Sequence, residues 1–388
     1  MTDDVVELDF ADDYRQTRDL VAVPLVSGSV SDLIAAAKVA VASANLLLPD
    51  EDALLERVVT GLLCGHVVLA GPPGTGKTTL AKLLADVFQC SSRVETATAD
   101  WSTYDVIGGL QPKITGTGNM TMESIAPWQG HVTSAVLKCA ETVARNRDEP
   151  ATHPLQAHWL IIDEFNRAEI DKAVGGLYTV LGGSGTESLK LWFEQDPKRQ
   201  EVWIPGRFRI VATLNSVDTS YVYGFSQGLT RRFKYIYVGV PSPDQVPAEL
   251  NAALTQALAW LDATYPGPNV APSGESLRDA IGKVVGRLES MVRLVRYGEG
   301  VVPGWPLGTA QIVDVLRELA LHARTADDLG GHLDLAFADL VVPQMMDLSA
   351  DQLDRIEGAF APSGSLAEMH RVLIAVKQLR EAQNTSFS

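Results

Sequence analysis

The segment Gly71-Pro72-Pro73-Gly74-Thr75-Gly76-Lys77-Thr78 constrains this chain more than any other. It satisfies the pattern GxxxxGK[ST] at every fixed position, with a short apolar run at 67–70 before it and a helical pattern at 79–88 after it. A glycine-rich turn between strand and helix aims backbone N–H groups inward, and the helix N-terminus adds positive potential. Such a turn cradles phosphate oxygens. Residues Gly71 to Thr79 form the cradle: Lys77 reaches the outer phosphates, and the Thr78 hydroxyl ligates Mg2+.

Three further patterns supply the chemistry that a phosphate cradle needs. The buried-strand pattern at 159–163 ends in Asp163 and Glu164. Asp163 holds Mg2+, directly or through water, and Glu164 polarises the attacking water as general base. A second such run, 208–213, leads into Leu214 and Asn215, where a neutral amide orients that water without competing for its proton. The competing reading of Asn215 is a strand cap. Gly228-Leu229-Thr230-Arg231-Arg232-Phe233 places two guanidinium groups before the last apolar run. An arginine given to a neighbouring subunit's γ-phosphate stabilises transition-state charge, whereas a solvated helix face is the plainer use. The sequence leaves the choice between Arg231 and Arg232 open, with Arg232, next to Phe233, the better fit.

Short apolar runs at 67–70, 93–98, 159–163, 208–213 and 235–240 alternate with helical or loop segments. That alternation predicts a parallel sheet covered on both faces, an α/β domain over 31–240 with five strands. Helical spacing at 31–64 is broken at Pro49-Asp50, and Asp50 is a candidate cap for the second half. After 240 the strand signals mostly stop. Periodicity near 3.6 at 245–265, 277–297, 309–323 and 367–382, separated by Pro/Gly-rich loops, predicts a helical lid over 241–388. Residues 1–30 carry no motif.

The formal net charge of −16 over 388 residues argues against a dedicated nucleic-acid-binding surface, because phosphate backbones attract basic faces. No apolar run is long enough to span a membrane, and the acidic N-terminus lacks a signal pattern, so the expected location is cytoplasmic. Cys64, Cys90 and Cys139 have no metal-ligand spacing and are expected to be buried free thiols.

The ordered set GPPGTGKT, LIIDEFNRAEID, ATLN and LTRRF resembles AAA+ ATPases. Residues 101–108 resemble the D-[LV]-I-G segment of the clade that holds MoxR, McrB and dynein-related proteins, and Asp163-Glu164-Phe165-Asn166-Arg167-Ala168 resembles its DE-x-NRA signature. Residues 189–204 look like the β-hairpin before the Asn215 strand, and 113–125 look like the loop that interrupts the second helix in that clade. The resemblance covers about 45–240. It implies a P-loop fold with a five-stranded sheet and helical lid, a homo-oligomeric hexameric ring, and ATP turnover with Mg2+ at subunit interfaces. It also implies inserts facing a pore or a partner, with Lys113, Met120 and Met122 in one, Trp192 and Phe193 in the other. Many relatives carry a lid arginine where this chain has Gln311, leaving Arg317 as another candidate cation.

The leading expectation is a MoxR-like ATPase that remodels or activates a partner protein, often a metal-adhesion-type protein. The alternative is the motor subunit of a McrB-like restriction or defence complex acting with a separate nuclease, for which GTP is a possible substrate. A non-catalytic nucleotide-gated scaffold is disfavoured by the presence of both Glu164 and Asn215.

Overall fold

The computed structural model describes residues 12–25, 28–115, 122–169, 173, 175–182, 187–215, 227–298, 304–346 and 348–386. They divide into two compact units. The first comprises the described residues of Met1–Ala44, Asp50–Gly71 and Lys77–Val238, the second those of Asn45–Pro49, Pro72–Gly76 and Gly239–Ser388. Among the described residues no helix is long and apolar enough to cross a membrane.

The first unit is built on nine strands: β1 His66–Gly71, β2 Cys90–Thr96, β3 Gly108–Thr115, β4 Met122–Gln129, β5 Ala157–Asp163, β6 Leu189–Lys190, β7 Glu201–Val202, β8 Ile210–Asn215 and β9 Phe233–Tyr237. Five of them make a parallel sheet in the order β2-β5-β8-β1-β9. The central strands are covered on both faces: Val67, Val68, Leu69, Leu160, Ile161, Val211 and Ala212 are all fully buried. That is why they read as continuous apolar runs rather than alternating ones. The edge strands β2 and β9 are only partly buried.

Helices α1 Val30–Ser43, α2 Glu51–Cys64, α3 Lys77–Val87, the short α4 Thr103–Val106 and α5 His131–Asp148 complete the layers. Ser29 and Asp32 form a capping box at the start of α1. Asp50 is the N-cap residue of α2, as the sequence suggested, but it adopts a left-handed conformation and its side chain makes no capping hydrogen bond. The other end of α2 is closed from a distance. The buried Arg209 guanidinium donates to the carbonyls of Leu62 and Leu63, which have no partner within the helix.

Two expectations for the inserts change. Residues 113–115 and 122–125 of the first insert are paired strand rather than loop. β3 and β4 pair antiparallel from Gly108↔Gln129 to Thr115↔Met122, forming a ribbon between α4 and α5. Residues 116–121, including Met120, and the Met122 side chain lie outside the described part. In the second insert β6 and β7 do pair as a hairpin. Trp192 is 69% exposed, but Phe193 is buried and is no surface contact. Residues 12–25, for which the sequence offered no role, dock on this hairpin. Tyr14 N–H donates to Lys198 O (3.0 Å), Trp203 N–H to Thr17 Oγ1 (2.8 Å) and Gly206 N–H to Leu20 O (3.1 Å). Cys90 and Cys139 are buried as expected, whereas Cys64 is exposed.

The second unit is helical. Its main helices are Val246–Thr264, Leu277–Tyr297, Thr309–His322, Gly330–Leu340, Ala350–Phe360 and His370–Ser386. Leu250, Leu261, Leu288, Met291, Leu316, Phe337, Phe360 and Val376 belong to one buried core. The Glu249 carboxylate and the Arg296 guanidinium form a two-pronged ion pair at 2.5 and 2.7 Å, with both side chains fully buried. Arg296 Nε also donates to Leu307 O (2.6 Å), and Thr309 Oγ1 donates to Glu249 Oε1 (2.5 Å). This pair ties the first of these helices to the end of the second, and its further hydrogen bonds reach the start of the third. Removing one partner leaves an uncompensated buried charge, so Glu249→Ala should lower the unfolding free energy of this unit by about 3–5 kcal/mol. Urea denaturation of the variant against wild type measures this, and a loss well under 1 kcal/mol would contradict it.

Candidate active site

The sheet order and register bring the motif residues together at the carboxyl ends of three adjacent strands, where open α/β sheets take their ligands. Gly71 at the end of β1 lies opposite Asn215 at the end of β8. Ile162 of β5 lies opposite Ala212 of β8, which carries Asp163 beside Thr213. Glycine is required at 71: a Cβ there would sit 2.0 Å from the Val238 carbonyl oxygen.

Asp163 Oδ1 accepts two hydroxyl hydrogen bonds, from Thr78 (2.7 Å) and from Thr213 (2.5 Å). Thr213 Oγ1 in turn accepts from the Glu164 backbone N–H (3.1 Å). The threonine therefore holds both acids at the strand end. Glu164 sits at φ 53°, in the left-handed region, and its carboxylate pairs with Arg167 one turn later. Asn166 is buried and reads the end of β8 through its amide. Asn166 Nδ2 donates to Asn215 O and Asn166 Oδ1 accepts from Asn215 N–H, both at 3.4 Å. In the sequence Asn166, Arg167 and Thr213 stand out only as parts of motifs. Their signal was the DE-x-NRA and ATLN strings, which do not say that one set braces the other.

Lys77 begins α3, and its Nζ donates to Gly71 O (3.0 Å). Burial pushes this ammonium down from 10.5 to about 8, with the Asp163 carboxylate opposing the shift. Residues 72–76 belong to the second unit, where Gly74 and Gly76 take φ of 76° and 80° and Thr75 Oγ1 donates to Pro72 O (3.0 Å). Such left-handed turns are what let successive backbone N–H groups converge on an anion.

The oxygen donors suit Mg2+. Adjacent ligands of an octahedral Mg2+ lie about 2.9 Å apart, and the Thr78 and Asp163 oxygens are 2.7 Å apart. Among the described residues no group of three or more His, Cys, Asp or Glu is placed to hold a metal ion by itself. The two arginines separate. Arg232 is half-buried, donates to Gly228 O (2.7 Å) and packs on Gly182. Arg231 is exposed.

A family model described as an AAA domain of the dynein-related subfamily matches residues 66–233. No curated protein matches the chain. A solved structure of a Thermotoga maritima RuvB mutant is similar at 15% identity, covering 81% of this chain and 76% of that one with a TM-score of 0.38. Residues 66–233 are thus similar to an AAA domain, and the protein is an ATP-hydrolysing enzyme.

A phosphate chain bound beside Lys77 would favour the charged form that burial disfavours. Nucleotide binding should then take up about half a proton per site at pH 8 and about a tenth at pH 7, given a lysine titrating at about 8. Titration calorimetry with Mg2+ and ADP in buffers of different ionisation heat reads this directly. Equal heats across buffers at pH 8 would show that Lys77 is already charged in the free protein.

Proposed function

We propose that this AAA+ ATPase works as a homo-oligomeric ring, with six subunits the expected number, that hydrolyses ATP with Mg2+ at the interfaces between subunits and uses the turnover to remodel or activate a partner protein. The observation that carries the reading is the meeting of Thr78, Asp163, Thr213 and Glu164 at one strand end, with Arg231 exposed and uncommitted among the described residues. Lys77 and the backbone of 71–79 bind the phosphates, Thr78 and Asp163 hold Mg2+, and Asn215 orients the water. Glu164 takes the proton from that water once its carboxylate leaves Arg167. Arg231 supplies charge to the nucleotide of the next subunit, a contribution of about 10³–10⁵ in rate in comparable phosphoryl transfers.

The partner side of the proposal rests on exposed apolar groups. Leu110, Pro112, Ile125 and Pro127 share one face of the β3–β4 ribbon and are all exposed, and Trp192 stands out on the hairpin. Exposed apolar patches mark contact surfaces. A protein partner fits them better than nucleic acid does, given the charge of −16.

The shared site has a direct test. The Lys77→Ala protein keeps its arginines but loses the phosphate lysine, and the Arg231→Ala protein keeps the phosphate loop. Each alone should turn over ATP at least about 100-fold slower than wild type, and mixing them should restore a small fraction through interfaces of one polarity. Wild-type turnover by Arg231→Ala alone, or no gain on mixing, would refute catalysis across the interface.

A further inference from the structure

The start of the helix Thr309–His322 packs on residues 72–76, and both belong to the second unit. Ala310 N–H donates to Gly74 O at 3.1 Å. Two glycines make the approach possible. A Cβ at Gly308 would lie 2.2 Å from Pro73 O, and one at Gly74 would lie 2.4 Å from Gln311 Oε1. Thr309 beside them is held by the buried Glu249–Arg296 pair, so the helix start is fixed. Movement of the loop must then be taken up by the side chain that touches it, Gln311.

Gln311 is buried, and its amide belongs to a directional chain. Gln344 Nε2 donates to Leu340 O (2.6 Å), and Gln311 Nε2 donates to Gln344 Oε1 (3.0 Å). A backbone carbonyl only accepts, so Leu340 sets the direction: the Gln344 NH2 faces Leu340, its oxygen faces Gln311, and the Gln311 oxygen faces the loop. That oxygen, Oε1, is buried and has no hydrogen-bond partner among the described residues. Phosphate oxygens are acceptors too, so in this direction Gln311 cannot bind them as a guanidinium would. The nearest lid cation along this helix, Arg317, is engaged elsewhere: it pairs with Asp314 (3.0 Å) and lies over the Trp260 ring (5.4 Å).

We propose that Gln311 is a neutral positioning residue that passes the occupancy of the phosphate loop, rather than the charge of the terminal phosphate, through Gln344 to the end of the helix Gly330–Leu340. The proposal rests on the nucleotide-binding reading of 71–79 given above. Its consequence is specific. A ligand shifts an equilibrium only by its differential interaction with the two states, and an acceptor without net charge gains far less than a guanidinium would from the extra charge of a triphosphate over a diphosphate. Both nucleotides should therefore drive the same response at the far end of the relay.

Hydrogen exchange of the backbone amides within 337–345, Pro343 aside, in the full chain tests this, with Mg2+ and ADP or with Mg2+ and a non-hydrolysable ATP analogue. In wild type both should slow exchange there by at least about fivefold, the lower end of ordinary site-to-site coupling. Gln311→Leu and Gln344→Ala should bind nucleotide and lose that slowing. Gln344 is exposed, so Gln344→Ala keeps the test alive if Gln311→Leu fails to fold. A response to the triphosphate alone, or a full response in Gln344→Ala, overturns the relay while leaving nucleotide binding intact. A wild type that binds neither nucleotide overturns the phosphate-loop reading and the relay with it.

Discussion

Asp163 accepts hydrogen bonds from two threonine hydroxyls that come from different elements, Thr78 at the start of α3 and Thr213 on β8. Those two contacts join the helix that follows the phosphate loop to the strand that ends in Asn215. Through the Glu164 N–H on Thr213, they also set where the second acid begins its left-handed turn. The parallel register β5–β8–β1 is what makes this possible, since it brings Asp163, Thr213 and Gly71 to the same end of the sheet. The buried apolar strands position the site, and the threonines align the donors within it.

Much of this was legible in the sequence because its signals are local. A strand buried on both faces reads as an apolar run whatever its neighbours, so the five-stranded sheet followed from 67–70, 93–98, 159–163, 208–213 and 235–240, with ends that shift by a few residues in the structure. The fifth strand begins earlier, at Phe233, because it pairs with β1 from His66 onward. The β3–β4 ribbon was misread although 110–115 alternate apolar and polar, because Pro112 and Pro127 fall inside it and a proline within a run counts against a strand. Two lid helices went unpredicted. Gly330–Leu340 opens on a glycine pair that depresses helix propensity, and Ala350–Phe360 is short, although Ser349 and Gln352 form a capping box that the sequence displayed. Long-range bracing left no local trace: nothing near Arg209 says that it closes α2, and nothing near Thr17 says that it anchors Trp203.

The two units manage charge differently at the elements that meet the phosphate loop sequence. In the first, burial loosens the proton of Lys77 while the Asp163 carboxylate opposes that, and a bound phosphate chain would stabilise the charge. In the second, the charges are matched within the protein: Glu249 and Arg296 neutralise one another below the helix start, and the residue facing the loop is an amide. A buried pair of this kind is weak evidence of added stability. Its clearer effect here is geometric, since it fixes Thr309 and leaves Gln311 as the part that can respond.

Turnover of Thr213→Val, measured at saturating ATP and Mg2+ beside its nucleotide affinity, tests the role of the threonine hub most directly. Valine keeps the shape of the buried side chain and removes only the hydroxyl that Asp163 and the Glu164 N–H share. If that hydroxyl aligns both acids, kcat falls by about tenfold or more while nucleotide affinity stays within a few-fold, the pattern of an interaction that matters in the transition state. Wild-type kcat in Thr213→Val would contradict the account, because both acids would then hold their places without the contact said to align them.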